Sequence, residues 1–266
     1  MTPPTRLPGP SQPPLTPGKT LPTMYDLPSD NPEEPGLPDE FHFLQPLLLY
    51  LTFQPTTWSP ELVYSAADLN LYYDAKNPRW YKRPDWFGVV GVPRFYEGQD
   101  LRLSYVTWQE KANPFVLVEL LSPGTEDEDL GKITKEVKTP SKWDVYEKIL
   151  RIPYYIVFSR YTNEIQPFQL VGNRYQSINL INGAIPMPAL GLSLGLWQGS
   201  FREANRLWLR WMTLEGELIP VPSEAATIAE RRASLAEKQA ADAQLRAQQL
   251  AERLRELGVN PDEIDD

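Results

Sequence analysis

Residues 115–121 read Phe-Val-Leu-Val-Glu-Leu-Leu, an apolar run broken by a single carboxylate, Glu119. A run this apolar predicts a central strand buried on both faces. Ser122-Pro123 ends it, and residues 122–141 are polar and charged. Ser141 is placed to cap a helix from Lys142 to about Leu150, with Val145, Tyr146, Ile149 and Leu150 as its apolar side. Pro153 closes that helix, and residues 154–159, Tyr-Tyr-Ile-Val-Phe-Ser, predict a second buried strand.

Upstream, residues 70–74, 86–92 and 101–108 read as strands separated by Asn-Pro, glycine and charged turns. Before them Asp39 can cap a helix over residues 40–52, whose stripe comprises Phe41, Phe43 or Leu44, Leu47, Leu48 and Leu51. Pro46 lies inside it and predicts a kink or a later start. Downstream, Gly172-Asn173 marks a hairpin, with a strand from Arg174. The expected architecture is α/β, a mixed sheet flanked by helices.

Twelve of the 28 prolines fall in residues 1–38, where Tyr25 is the only aromatic. Such a segment cannot bury enough surface to offset its ordering entropy, so residues 1–37 are expected to form a disordered arm. Residues 38–220 are the expected folded domain. Residues 223–257 contain no Gly or Pro and are rich in Ala, Glu, Arg, Gln and Leu, predicting a helix that stops at Gly258. Thr227 with Glu230 reads as its capping box. Ile228 and Leu235 share one heptad register, and Leu250, Leu254 and Leu257 follow another. A weak coiled coil that makes a homo-oligomer, and a helix folded onto the domain, both fit.

The sequence has no cysteine, so disulfides and thiolate chemistry are excluded. It has no apolar run long enough for a membrane span and no apolar leader. A cytoplasmic protein with no membrane partner is therefore expected. There are 26 Lys and Arg against 35 Asp and Glu, a net charge of −9. That balance argues against tight, general DNA binding through a basic surface. One local exception is residues 131–160, with seven basic residues against three acidic, readable as a phosphate-facing strip or as a lysine-rich loop.

The chemistry centres on polar residues at strand positions. Asp85 follows Arg83-Pro84 at the mouth of one predicted strand, and Glu119 lies within another. A buried ionised carboxylate is costly unless paired or bound to a metal. Two carboxylates on neighbouring strands suit Mg²⁺, which takes oxygen ligands and keeps several waters. Lys142 and Tyr146, four apart, share one helical face. A lysine there could stabilise phosphate charge or help deprotonate an attacking water.

Arg83-Pro84-Asp85, residues 118–125 (Val-Glu-Leu-Leu-Ser-Pro-Gly-Thr), Asp129, Lys142 with Tyr146, and Ile152-Pro153-Tyr154-Tyr155 together resemble a bacterial family. It is the putative restriction endonuclease family, formerly a domain of unknown function, within the PD-(D/E)XK nuclease superfamily. The resemblance covers roughly residues 38–220. It implies a restriction-endonuclease-like fold, Mg²⁺ or Mn²⁺ as cofactor and DNA as partner. It implies that Asp85, Glu119 and Lys142 are catalytic, with Asp85 and Glu119 as metal ligands. The resemblance implies that the lysine is supplied from the helix and not from the position two after Glu119, which here is Leu121. Lys132, Lys135 and Lys138 are its rivals. Accessory candidates are Glu40, His42 or Gln45 on the first helix, with Ser122, Asp129 and Tyr146.

Structural roles compete at each position. Asp85 could cap a turn after its proline. Glu119 could pair with Arg83. Lys142 could be a solvated first-turn residue, Tyr146 a core residue, and His42 has no second histidine with which to share a metal. The leading reading is a Mg²⁺-dependent endonuclease cleaving DNA. A nuclease-fold binding or scaffold protein without activity is the second. A two-carboxylate glycosidase is the third and leaves Lys142 unexplained.

Overall fold

The computed structural model describes residues 21–23, 26, 37, 39–121, 129–131 and 139–258. Most of the expected arm, Ser122, and the rival lysines Lys132, Lys135 and Lys138 lie outside them.

The chain opens with α1 (Phe41–Thr52), and the Asp39 carboxylate accepts the His42 N–H at 3.1 Å, as a capping residue should. Pro46 sits within the helix. Strands β1 (Val63–Ala67), β2 (Leu71–Tyr72), β3 (Tyr81–Lys82), β4 (Trp86–Val90) and β5 (Tyr105–Val106) follow, then the short α2 (Thr107–Glu110) and β6 (Val116–Leu121). Next comes α3 (Lys142–Asp144), continued by a π-helical turn over Val145–Ile149, and β7 (Tyr154–Ser159). The meander β8 (Glu164–Val171), β9 (Arg174–Ser177), β10 (Ala184–Met187), β11 (Leu192–Phe201) and β12 (Ala204–Thr213) precedes the long α4 (Pro222–Glu256).

The main sheet runs β1-β4-β6-β7-β8-β9, with β6 and β7 the one parallel pair. The apolar run at residues 115–121 is thus central, as its composition requires, and β6 is buried at every position. Strand alternation assigns its side chains to two faces. Leu117, Glu119 and Leu121 share a face with Phe87, Tyr155 and Val157, where Val145 and Tyr146 also pack. On the other face Phe158 meets Phe41 of α1, with ring centroids 6.0 Å apart, and Trp86 meets Phe53 at 5.2 Å. Gly88 on β4 permits that approach, since a Cβ there would lie 2.7 Å from the Phe53 ring.

Helix α1 also covers the free edge of β12. The Gln45 amide donates to Leu209 O and accepts from Leu209 N, both at 2.8 Å. Gln45 is fully buried. Its place is structural, and the expectation that it joins the site gives way to this strand-edge pairing.

Several boundaries depart from the sequence reading. Residues 101–108 form only the two-residue β5 before turning into α2, and residues 70–74 shorten to β2. The helix after Ser141 is α-helical for one turn before widening, with Leu150 N–H bonded five residues back to Val145 O at 2.8 Å. Strand β1 and the sheet β10-β11-β12 were not anticipated. Among the described residues, no helix is long and apolar enough to cross a membrane.

Helix α4 begins at Pro222, five residues before the expected cap. The Glu224 carboxylate accepts the Val221 N–H at 3.0 Å, while Thr227 lies inside the helix with its hydroxyl on Ser223 O. Ile228, Leu235, Leu245, Leu250 and Leu257 are all exposed. Their register breaks after Leu235, so no continuous coiled-coil seam runs along the helix.

Replacing Gln45 with Leu strands a buried N–H and C=O on Leu209, at about 1–3 kcal/mol for each unpaired group. Urea denaturation of Gln45→Leu is expected to show a loss of about 2–4 kcal/mol. A loss below about 1 kcal/mol would mean that the β12 edge is satisfied in another way.

Candidate active site

Glu119 is 1% exposed in the middle of β6, and Asp85 sits just before β4 on the strand beside it. Sheet alternation turns both carboxylates to the α3 face. The Leu120 N–H donates to Asp85 Oδ2 at 2.6 Å, and the Asp85 N–H lies 3.4 Å from Glu119 Oε2. Asp85 therefore does not cap a turn; it is tied across the strand boundary to the peptide beside Glu119.

The opposite wall comes from α3. Ser141 caps it, its Oγ accepting the Asp144 N–H at 3.1 Å. That fixes Lys142 in the first turn, with Nζ 3.1 Å from Glu119 Oε2 and 2.8 Å from Asp129 Oδ1. Only 16% of the Lys142 side chain is exposed. Tyr146, four residues on, donates its hydroxyl to Glu119 Oε1 at 2.9 Å. The shared helical face of Lys142 and Tyr146 thus grips both oxygens of one carboxylate. Asp129 is buried, and its carbonyl accepts the Tyr155 hydroxyl at 2.7 Å. Arg83, the structural partner that Glu119 could have taken, pairs its guanidinium with Asp68 at 2.9 Å.

His42 lies behind this group. Its Nε2 is 3.1 Å from Leu120 O, and its Nδ1 is 2.9 Å from Asp39 Oδ1. Both neighbours are acceptors, so both bonds form together only when both ring nitrogens carry protons. Asp39 also pairs with Arg160 at 3.1 Å. Glu40 is exposed at the start of α1. Sequence reasoning placed Asp39 as a cap and missed that, at i+3 spacing, it also holds the histidine ring. It missed Arg160 altogether, for which no local signal exists.

Among the described residues, three carboxylates, Asp85, Glu119 and Asp129, face one ammonium. Burial pushes the Glu119 carboxyl well above the usual range; Lys142 pulls it back, while Asp129 and Asp85 push it further up. Asp85 is likewise raised, by burial first, with Lys142 opposing. Burial disfavours the charged form of Lys142, yet the attraction of Glu119, Asp129 and Asp85 outweighs it and raises its pKa. Burial, then the Glu119 charge, raises the Tyr146 hydroxyl well above its ordinary value. Lys142 is a held ammonium, and Tyr146 a neutral donor.

This donor set is hard oxygen with an excess of negative charge, which suits Mg²⁺ or Mn²⁺ better than Zn²⁺. Among the described residues, no group of three or more His, Cys, Asp or Glu is arranged to hold a metal. Asp85 and Glu119 supply the one or two carboxylates that Mg²⁺ uses, the rest of its shell being water.

The basic excess of residues 131–160 does not form a strip among its described members. Lys142 is enclosed, Lys148 pairs with Asp144, Arg151 bonds Asn173 and Gly172 O, and Arg160 pairs with Asp39.

The family model described as Putative restriction endonuclease (Uma2) matches residues 20–204. The chain belongs to this family. It thereby falls in the PD-(D/E)XK-like nuclease superfamily, whose members typically use divalent metals. The match starts earlier and ends earlier than the expected 38–220, stopping where β12 begins. No curated protein matches the sequence.

The electrostatics set opposite expectations for two substitutions. Lys142→Ala leaves buried Glu119 and Asp129 and half-buried Asp85 uncompensated and is expected to cost about 3–5 kcal/mol at pH 7. Glu119→Gln removes one charge from an over-negative cluster and is expected to cost less than about 1 kcal/mol. The unfolded carboxyls release their protons near the ordinary values of 3.8 and 4.5, the folded ones higher. Above those values the folded state holds more protons, so this contribution to stability falls as pH rises. The Lys142→Ala deficit should therefore shrink between pH 8 and pH 5 in urea titrations. A deficit that grows toward pH 5 would contradict the charge assignment.

Proposed function

We propose that this protein is a Mg²⁺- or Mn²⁺-dependent endonuclease that hydrolyses DNA phosphodiester bonds. The observation that carries the reading is the convergence of Asp85, Glu119 and Lys142, on three separate elements, into one charge cluster. A glycosidase reading leaves the lysine without a task. In the nuclease reading, Asp85 and Glu119 hold the ion. When bound, it supplies positive charge at the phosphoryl oxygens and acidifies a bound water.

The remaining chemistry belongs to the chain. Tyr146 and the Leu120 N–H fix the two carboxylates in orientation, each holding one oxygen. Lys142 keeps its proton because three carboxylates surround it. Of the two tasks open to a lysine here, stabilising negative charge at phosphorus is the one that fits; accepting a proton from water is not. A cytoplasmic location accompanies this reading, since a cysteine-free chain has no need of an oxidising compartment.

A plasmid-nicking assay with Mn²⁺ or Mg²⁺ tests the proposal. Wild type is expected to nick, and Glu119→Gln to lose about 10²-fold or more, the scale of removing one preorganised electrostatic group. Mn²⁺ is expected to raise the wild-type melting temperature by mass action and to act weakly on Glu119→Gln. Equal stabilisation of the two would remove Glu119 from the metal site. Stabilisation without nicking would favour a binding protein on a nuclease fold, a reading to which the net charge of −9 lends weight.

A further inference from the structure

Strands β6 and β7 are parallel, so their C-terminal ends, Leu121 and Ser159, lie side by side. Arg160 follows directly, and Arg206 reaches the same point from β12, its Nη2 donating to Arg160 O at 3.3 Å. Both guanidinium groups lie over the Phe41 ring, Arg206 at 4.1 Å and Arg160 at 5.9 Å from its centroid. Trp208 gives Arg206 a second aromatic neighbour at 5.5 Å. The forks are partly occupied, Arg206 Nε donating to Leu207 O and Arg160 Nη2 to the Tyr161 hydroxyl, both at 3.4 Å; among the described residues the Nη1 group of Arg206 has no hydrogen-bond partner and is left to meet an anion.

Among the described residues, positive charge is in excess at this point. Arg160 pairs with Asp39, which also holds His42. Arg206 has no carboxylate partner among the described residues. Among the described residues, the two guanidinium groups have this one carboxylate near them. Burial, then repulsion from Arg160, lowers the Arg206 pKa against the pull of Asp39. An anion between the two arginines would relieve that repulsion. The cluster is also joined to the carboxylate site: Asp39 holds His42, His42 meets Leu120 O, and the Leu120 N–H holds Asp85.

We propose that Arg206, with Arg160, forms an anion site that takes a backbone phosphate of a nucleic-acid strand, at the C-terminal ends of β6 and β7 on the α1 face of the sheet whose other face carries the carboxylates. The inference rests on the nuclease reading for the identity of its ligand. Guanidinium forks match phosphate oxygens bidentately and are weakly hydrated, so their desolvation is tolerable in a half-buried position. The site reconciles an acidic chain with an anionic substrate, because phosphate is met by two positioned arginines and not by a basic surface.

The test is fluorescence anisotropy with a short labelled DNA duplex in EDTA, where cleavage cannot intervene, over a range of salt concentrations. Arg206→Gln is expected to weaken binding about tenfold near 0.1 M salt and to lower the slope of log K against log salt by about one. Arg206→Lys should restore the slope. Arg174→Gln, an equal charge loss at an exposed position on β9, should change neither quantity. Circular dichroism melts check that each variant is folded. An unchanged slope in Arg206→Gln, a slope lost equally in Arg174→Gln, or no duplex binding by wild type would each overturn the proposal. Glu119-dependent nicking with an Arg206-independent slope would sink the anion site and spare the nuclease. An Arg206-dependent slope in a wild type that nicks nothing would sink the nuclease and spare the anion site.

Discussion

A carboxylate in the middle of a strand buried on both faces must find its compensation locally, and much of this fold is arranged around that demand. Glu119 cannot reach solvent, so its oxygens are met by a hydroxyl and an ammonium delivered from one helix. The helix must therefore lie over that face, and it must start at Ser141 so that Lys142 enters in its first turn. The π-helical turn then carries Val145 and Tyr146 inward together, both without exposed surface. Asp129 adds a negative charge that the pair alone does not need. A purely structural ion pair would be weakened by such an addition, since each buried carboxylate carries its own desolvation cost. The surplus of negative charge is the feature that separates this cluster from a core salt bridge.

The parts legible in the sequence are those where local pattern and tertiary context agree. The strands at residues 116–121 and 154–159 were read from apolar composition, because strands buried on both faces need no alternation to be seen. Helix α1 was read from its stripe and from Asp39, which does cap it. In the sheet β10-β11-β12, Leu192, Leu194 and Leu196 do alternate with small residues, but the pattern breaks at Trp197 and charged residues interrupt β12. Arg210 shows why: it is buried within β12 and stacks over Trp197 at 4.4 Å, a contact with a residue distant in sequence. The strand expected at residues 101–108 failed for the opposite reason. Its composition is strand-like, but Arg102 is drawn to Glu110 and to the carbonyls of Pro93 and Arg94, which turns the chain after Val106.

The candidate site divides in the same manner. Asp85, Glu119 and Lys142 stand out as charged residues where apolar ones belong, and resemblance to a family orders them. The groups that hold them in position carry no such mark. Leu120 contributes only its peptide, and Gln45, which looked like a site residue, serves the edge of another sheet. Polarity on a helix face signals a partner without saying whether that partner is a substrate or a strand.

One consequence of the arrangement is that stability and chemistry draw on the same ammonium. Lys142 offsets three carboxylates in the resting fold, and on the nuclease reading proposed above the same charge would meet the phosphoryl group. A divalent ion shared by Asp85 and Glu119 would take over part of the neutralisation. It would leave Asp129 as the carboxylate nearest the Lys142 Nζ, at 2.8 Å. Asp129 then has a reason to exist in an already over-negative pocket: it keeps the lysine positioned and protonated when Glu119 turns to another cation. Without Asp129, metal and lysine would compete for one carboxylate. With it, on the proposed reading, the pocket would hold both charges at once, as two-carboxylate, lysine-assisted phosphodiester hydrolysis requires.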